Sequence, residues 1–236
     1  MARLAHNILA VFAPEDPPEI TSIAPECIDQ VLFERGFTIS EYERFIRLFL
    51  GINGFDGYLS KNYHHIYRIP QLRALDIESR FVFIFRDPLE NSLSLLQQYT
   101  SFIASQTADP FILKFMNLLG HREFGMNAEP FFSPSHYRDK SHLNYWLEQW
   151  LTYHKFFIKN IYHDGVFLID YAQLGSDEWM KALGRFVGSY SGGIDDYAPR
   201  QKSENQALEF DSQLYEKCRS VYLKLKSMQE VGGLGP

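Results

Sequence analysis

The sequence predicts an α/β protein, a three-layer arrangement in which helices flank a parallel sheet. Two observations predict it. Phe81-Val82-Phe83-Ile84-Phe85 and Val166-Phe167-Leu168-Ile169 are unbroken apolar runs, and runs of that length suit strands buried on both faces. Helical patterns lie around and between them, so strand and helix alternate along the chain.

Leu4, Ile8, Leu9 and Phe12 share one face at helical spacing. This predicts that the chain opens inside a helix, with no strand before it. A loop with Pro14, Pro17 and Pro18 follows, then a helix over 26–36 stopped by Gly36. Ser40 and Glu43 have the spacing of a capping box and open a helix that runs to Leu50 and ends at Gly51. Tyr58-Leu59 reads as a short strand leading into Ser60-Lys61-Asn62, and 65–75 as a helix despite Pro70. After the 81–85 strand, Arg86-Asp87-Pro88 ends the run and a helix covers about 89–105. Residues 109–140 are loop-rich and aromatic, with two short helical pieces at most. A helix over 141–160 carries Trp146, Trp150, Tyr153 and Phe157, with both tryptophans assigned to the core. The 166–169 strand closes at Asp170-Tyr171, and 176–187 is helical. The span 189–206 is a loop, the last helix covers about 211–229, and about 230–236 is a flexible tail. No repeat or linker divides the chain, so 1–236 is one domain.

Composition bounds the function. The chain has 236 residues, 45% hydrophobic and 22% charged, with a formal net charge of −6. A chain of this size buries roughly 70–75% of its unfolded surface and needs no disulfide or metal to hold a core. The 20 Phe and 14 Tyr exclude general disorder. The acidic balance offers no broad field for nucleic acid, so an anionic ligand needs a local cationic cluster. Cys27 and Cys218 show no zinc spacing and read as buried thiols in a reducing compartment. The run Ile8–Ala13 is too short for a signal peptide, and no segment reaches the ~18–20 apolar residues of a membrane helix. The expectation is a cytoplasmic protein without a membrane segment.

Three constellations carry candidate chemistry. In FVFIFRDPLENSLS, a buried strand delivers Arg86 at its carboxyl end, and Ser94 follows eight residues later on the next helix. Ligands of open α/β sheets sit outside the carboxyl ends of strands, and the guanidinium fork suits a phosphate. The plain alternative is a helix start at Asp87-Pro88 beside a surface ion pair of Arg86. In Ser60-Lys61-Asn62-Tyr63-His64-His65, Lys61 can offset developing charge and His65 can take a proton near neutral pH. A polar loop is the plain alternative there. Arg200 and Lys202 form a basic pair that can fold over a phosphate or stand as solvated surface. Neither His64-His65 nor His136 and His142 has the ligand set of a metal site, so no metal is expected.

Together these pieces resemble the sulfotransferases that use 3′-phosphoadenosine 5′-phosphosulfate (PAPS). Members of that family have a strand ending in Arg-Asp-Pro with a Ser eight residues after the Arg, as Arg86 and Ser94 have here. Lys61 and His65 match the family's bacterial Lys-x-Pro-x-His, with Tyr63 in place of Pro. VFLIDYAQLGSDEWMKALGRFVG (166–188) is similar to the later strand, turn and helix of the family, with an altered turn. The resemblance implies a P-loop NTPase-like parallel sheet and transfer of a sulfuryl group to a hydroxyl or amine of a small-molecule or carbohydrate acceptor. It implies that Arg86 and Ser94 hold the cofactor's 3′-phosphate, that Arg200 and Lys202 close over it, and that His65 and Lys61 serve catalysis. The family's Ser-Gly-Thr-Thr phosphate loop is missing, and LAHNILAVF (4–12) resembles the helix that follows it. The expectation is therefore a chain that starts about one strand and one turn too late, either as a truncated fragment or as a degenerate enzyme, with a fold lacking its first strand and weak or no activity. A non-catalytic, sulfotransferase-like binding protein is the second reading. A related kinase is the third, with Asp170 as its one candidate magnesium ligand.

Overall fold

A computed structural model describes residues 8–13, 38–54, 57–61, 65–75, 77–118, 122–130, 136–160, 166–188 and 209–232. The elements are β1 (Ile8–Ala13), α1 (Ile39–Asn53), β2 (Tyr58–Lys61), α2 (His65–Arg73), β3 (Glu78–Phe85) and α3 (Pro88–Ala108). They continue with α4 (Pro110–Leu118), α5 (Leu143–Asn160), β4 (Val166–Asp170), a 3-10 turn (Tyr171–Gln173), α6 (Asp177–Val187) and α7 (Ser212–Gly232).

The opening differs from the expectation. Ile8–Ala13 is a strand, not a helix, and it stands inside a four-stranded sheet of order β2-β1-β3-β4. It runs antiparallel to both neighbours, with Ala10 opposite Ser60 on one side and Phe81 on the other. Six apolar residues in a row fit a helical face and a fully paired strand equally well, so spacing alone does not separate them. Pairing on both sides satisfies the backbone of β1 and decides the outcome. The sheet is consequently mixed rather than all parallel. β3 and β4 form its parallel pair, from Phe81 opposite Val166 to Phe85 opposite Asp170.

Both faces of that pair are covered. Phe81, Phe83 and Phe85 alternate to one side, where they join residues of α1, α2, α5 and α7 in the main core. Phe83 stacks on Phe157 of α5 with ring centroids 3.6 Å apart. Val82, Phe167 and Ile169 take the other side, where Ala182, Leu183 and Phe186 of α6 close over them. A strand with apolar neighbours on both faces has no polar alternation, which is why the 81–85 run reads as continuous.

The capping of α1 falls two residues earlier than predicted. Thr38 Oγ1 accepts from Glu41 N at 3.3 Å, and Glu41 Oε2 accepts from Thr38 N at 2.7 Å. Thr38…Glu41 and Ser40…Glu43 carry the same pattern, and the structure uses the first. The helix also runs past Gly51 to Gly54, whose φ of 65° closes it in the left-handed conformation. The 26–36 helix, the 189–206 loop and Cys27 lie outside the described residues. The final helix includes Gly232, so the predicted tail is shorter at its start. Trp146 and Trp150 are buried, as is Cys218, whose thiol is pushed up to about 12 by burial. Among the described residues, no helix is long and apolar enough to cross a membrane.

Phe83→Ala removes the ring at the centre of this packing and should cost about 3–5 kcal/mol of stability. Leu48→Ala changes a side chain that is 59% exposed and should cost no more than about 0.5 kcal/mol. Urea unfolding of both variants checks the difference.

Candidate functional site

β3 and β4 end side by side, so the residues that follow them emerge together. Arg86 comes out of β3 with its guanidinium 4.8 Å from the centre of the Tyr171 ring, which follows β4. Asp87 caps α3 by accepting from the backbone N–H groups of Leu89 and Glu90 at 2.9 and 3.0 Å, and Pro88 takes the first helical position. Arg86 also contacts Glu90 one turn into the helix. Its Nε and one terminal nitrogen both reach Glu90 Oε2 at 3.3 Å. Ser94 stands half-buried a turn beyond Glu90 on the same helix face. The helix start and the ion pair of the plain alternative are thus both present, and they stand at the strand end where a ligand site was expected.

Asp170 closes β4 and is almost fully buried. Its Oδ1 accepts from Ala172 N at 3.0 Å, and its Oδ2 accepts from the Tyr222 hydroxyl at 2.6 Å. Lys226 Nζ lies 3.8 Å from the same Oδ2. The carboxylate therefore ties α7 to the sheet, with both oxygens engaged. That is the position of a structural anchor. Burial, the Asp170 bond and the nearby carboxylates Asp87 and Glu90 all push the Tyr222 hydroxyl pKa upward.

At the end of β2, His65 is fully buried at the start of α2, and its Nε2 lies 2.7 Å from Ser60 Oγ. Ser60 is buried with it, while the next residue, Lys61, is half-buried. The predicted role of His65 as a proton acceptor needs contact with an acceptor hydroxyl. In this structure the ring is sealed from solvent and meets the Ser60 hydroxyl. His65 instead joins strand to helix, and the sequence placed it correctly at the strand end without revealing which way it faces. Arg200 and Lys202 lie outside the described residues.

Glu90, Tyr222 and Lys226 belong to this edge and were not predicted. Glu90 carried a signal, since it stands four residues after Arg86 on a helix start. Tyr222 and Lys226 carried none, because their partner Asp170 is brought to them only by the fold. Comparison with known proteins adds nothing to the geometry: no family model matches the chain, and no curated protein or solved structure is significantly similar to it.

The tyrosine bonds set a pH dependence. Tyr222 has its pKa raised in the folded chain, so its contribution to stability is complete below pH ~10, the unfolded tyrosine pKa. Above that pH the unfolded chain loses the proton that the folded chain keeps, and stability falls. Urea midpoints measured from pH 9 to 11.5 should decline with pH, and Tyr222→Phe should decline less steeply. Equal slopes would show that this hydroxyl does not carry the effect.

Proposed function

We propose that the chain binds the 3′-phosphate of an adenosine nucleotide at the carboxyl ends of β3 and β4, in the manner of a PAPS-dependent sulfotransferase. The observation that carries this reading is Arg86, set just past a buried parallel strand with Ser94 on the helix that follows. Arg86 supplies a planar set of donors for the phosphate oxygens, and the Ser94 hydroxyl adds one more. Arg200 and Lys202 complete the group in the resemblance. In sulfuryl transfer, an acceptor oxygen or nitrogen forms a bond to sulfur as the bond from sulfur to the bridging phosphate oxygen breaks. The acceptor loses its proton, and negative charge returns to the nucleotide. Lys61 at the end of β2 is the residue proposed to offset that charge. His65 holds the end of β2 through its contact with Ser60.

One observation favours a second reading, in which a sulfotransferase-like chain binds nucleotide without catalysis: the His65 ring is sealed from solvent. Both readings share the Arg86 site and separate on turnover.

Calorimetric titration with adenosine 3′,5′-bisphosphate tests the shared site. Arg86→Ala should abolish binding. Glu90→Gln should strengthen it severalfold, since it frees the guanidinium from a competing carboxylate. Binding unaffected by Arg86→Ala would refute the site. PAPS turnover with a panel of hydroxyl and amine acceptors then separates enzyme from binding protein.

A further inference from the structure

A cleft of about 770 Å³ opens between α5, the start of α7 and the segment before α5, away from the strand ends. Its charges are arranged unevenly. Lys155 and Lys159 stand one turn apart on α5, and Lys217 faces them from α7. None of the three has an ion-pair partner among the described residues. The two carboxylates in the lining accept hydrogen bonds from the walls, and Lys217 is among the groups that lower the Asp211 pKa. Asp211 Oδ1 accepts from the backbone of Gln213 and Leu214 at 2.8 and 3.1 Å, and its Oδ2 accepts from the Tyr137 hydroxyl at 2.6 Å. Glu148 Oε2 accepts from Tyr137 N at 3.1 Å. The carboxylates therefore organise the walls and offset part of the positive charge, with three ammonium groups against two carboxylates in the lining.

This concentration runs against the chain as a whole, whose formal net charge is −6. The lysines outnumber the carboxylates of the lining, and an anion seated among the three ammonium groups gains from that local excess. Phe156 adds an apolar wall, half-buried and 5.5 Å from Tyr67 between ring centres. Clefts that combine an apolar wall with a few placed charges are the ordinary form of small-molecule sites.

We infer that this cleft binds a dianionic phosphate monoester carried on an aromatic or apolar group, with Lys155, Lys159 and Lys217 on the phosphate and Phe156 against the carrier. Three ammonium donors match the oxygens of a phosphate better than the two of a carboxylate. The inference is independent of the nucleotide site, because it uses none of the same residues.

Phenyl phosphate is the probe, with phenol and inorganic phosphate as controls, titrated by calorimetry at low ionic strength into the full chain. Wild type should bind phenyl phosphate more tightly than either control, and added salt should weaken it. The triple variant Lys155→Gln, Lys159→Gln, Lys217→Gln replaces exposed side chains. It should keep its circular dichroism and urea midpoint while losing at least tenfold in affinity. Arg86→Ala should bind as wild type does. No binding by wild type, or equal binding by the triple variant, overturns the inference. Loss with Arg86→Ala alone would also overturn it, because the probe would then sit at the strand ends. Inorganic phosphate binding as tightly as phenyl phosphate would refute the role of Phe156.

Discussion

Parallel pairing of Phe81–Phe85 with Val166–Asp170 is the contact on which the remaining architecture depends. It fixes two periodicities at once. Across the sheet, the period of two sends the phenylalanines of β3 to the α5 side, and Val82 with Phe167 and Ile169 to the α6 side. Along the strands, the register Phe85 opposite Asp170 makes both chains leave the sheet at one level. Arg86 and Tyr171 then meet without any helix having to bring them together. The same level gives Tyr222 and Lys226 of α7 a buried carboxylate to hold. A shift of one residue would exchange the two faces of the moved strand and also pull the edge residues apart.

What the sequence revealed follows from how local each cause is. The 81–85 and 166–169 runs were legible because burial on both faces leaves a pattern within one strand. The Asp87-Pro88 helix start was legible because a cap acts over three residues. β1 was not, because Ile8–Ala13 is a strand only in company with Tyr58–Lys61 and Glu78–Phe85, far along the chain. The capping box shows the same limit at shorter range. Thr38 and Ser40 both precede a glutamate by three, and nothing in six residues selects between them. His65 marks the boundary for function: its position at a strand end was readable, but its orientation was not. A histidine before a helix can face solvent or core, and the Ser60 hydroxyl together with the packing of Tyr42 decides that here.

The strand edge is electrostatically balanced, and that balance bears on what can bind there. Asp87, Glu90 and Asp170 face Arg86 and Lys226, so the edge has no standing excess of positive charge. The backbone donors at the start of α3 are already taken by Asp87, which withdraws the usual attraction of a helix N-terminus for anions. Affinity for a phosphate must therefore come through Arg86, and Arg86 must first leave Glu90. The magnitudes favour that exchange. Both Arg86 nitrogens reach a single Glu90 oxygen at 3.3 Å, longer than the ~2.7–2.9 Å of a well-formed charge-assisted bond. The Glu90 side chain is also 34% exposed, and pairs open to water contribute about 0–1 kcal/mol. Hydrogen bonds to a charged group contribute about 1.5–3 kcal/mol each when well formed. A phosphate that engages two donors of the fork on separate oxygens outweighs one carboxylate oxygen shared between them. Glu90 thus holds Arg86 in place over Tyr171, and under the proposed nucleotide reading it does so at small cost to a dianion while disfavouring ligands that offer only one oxygen.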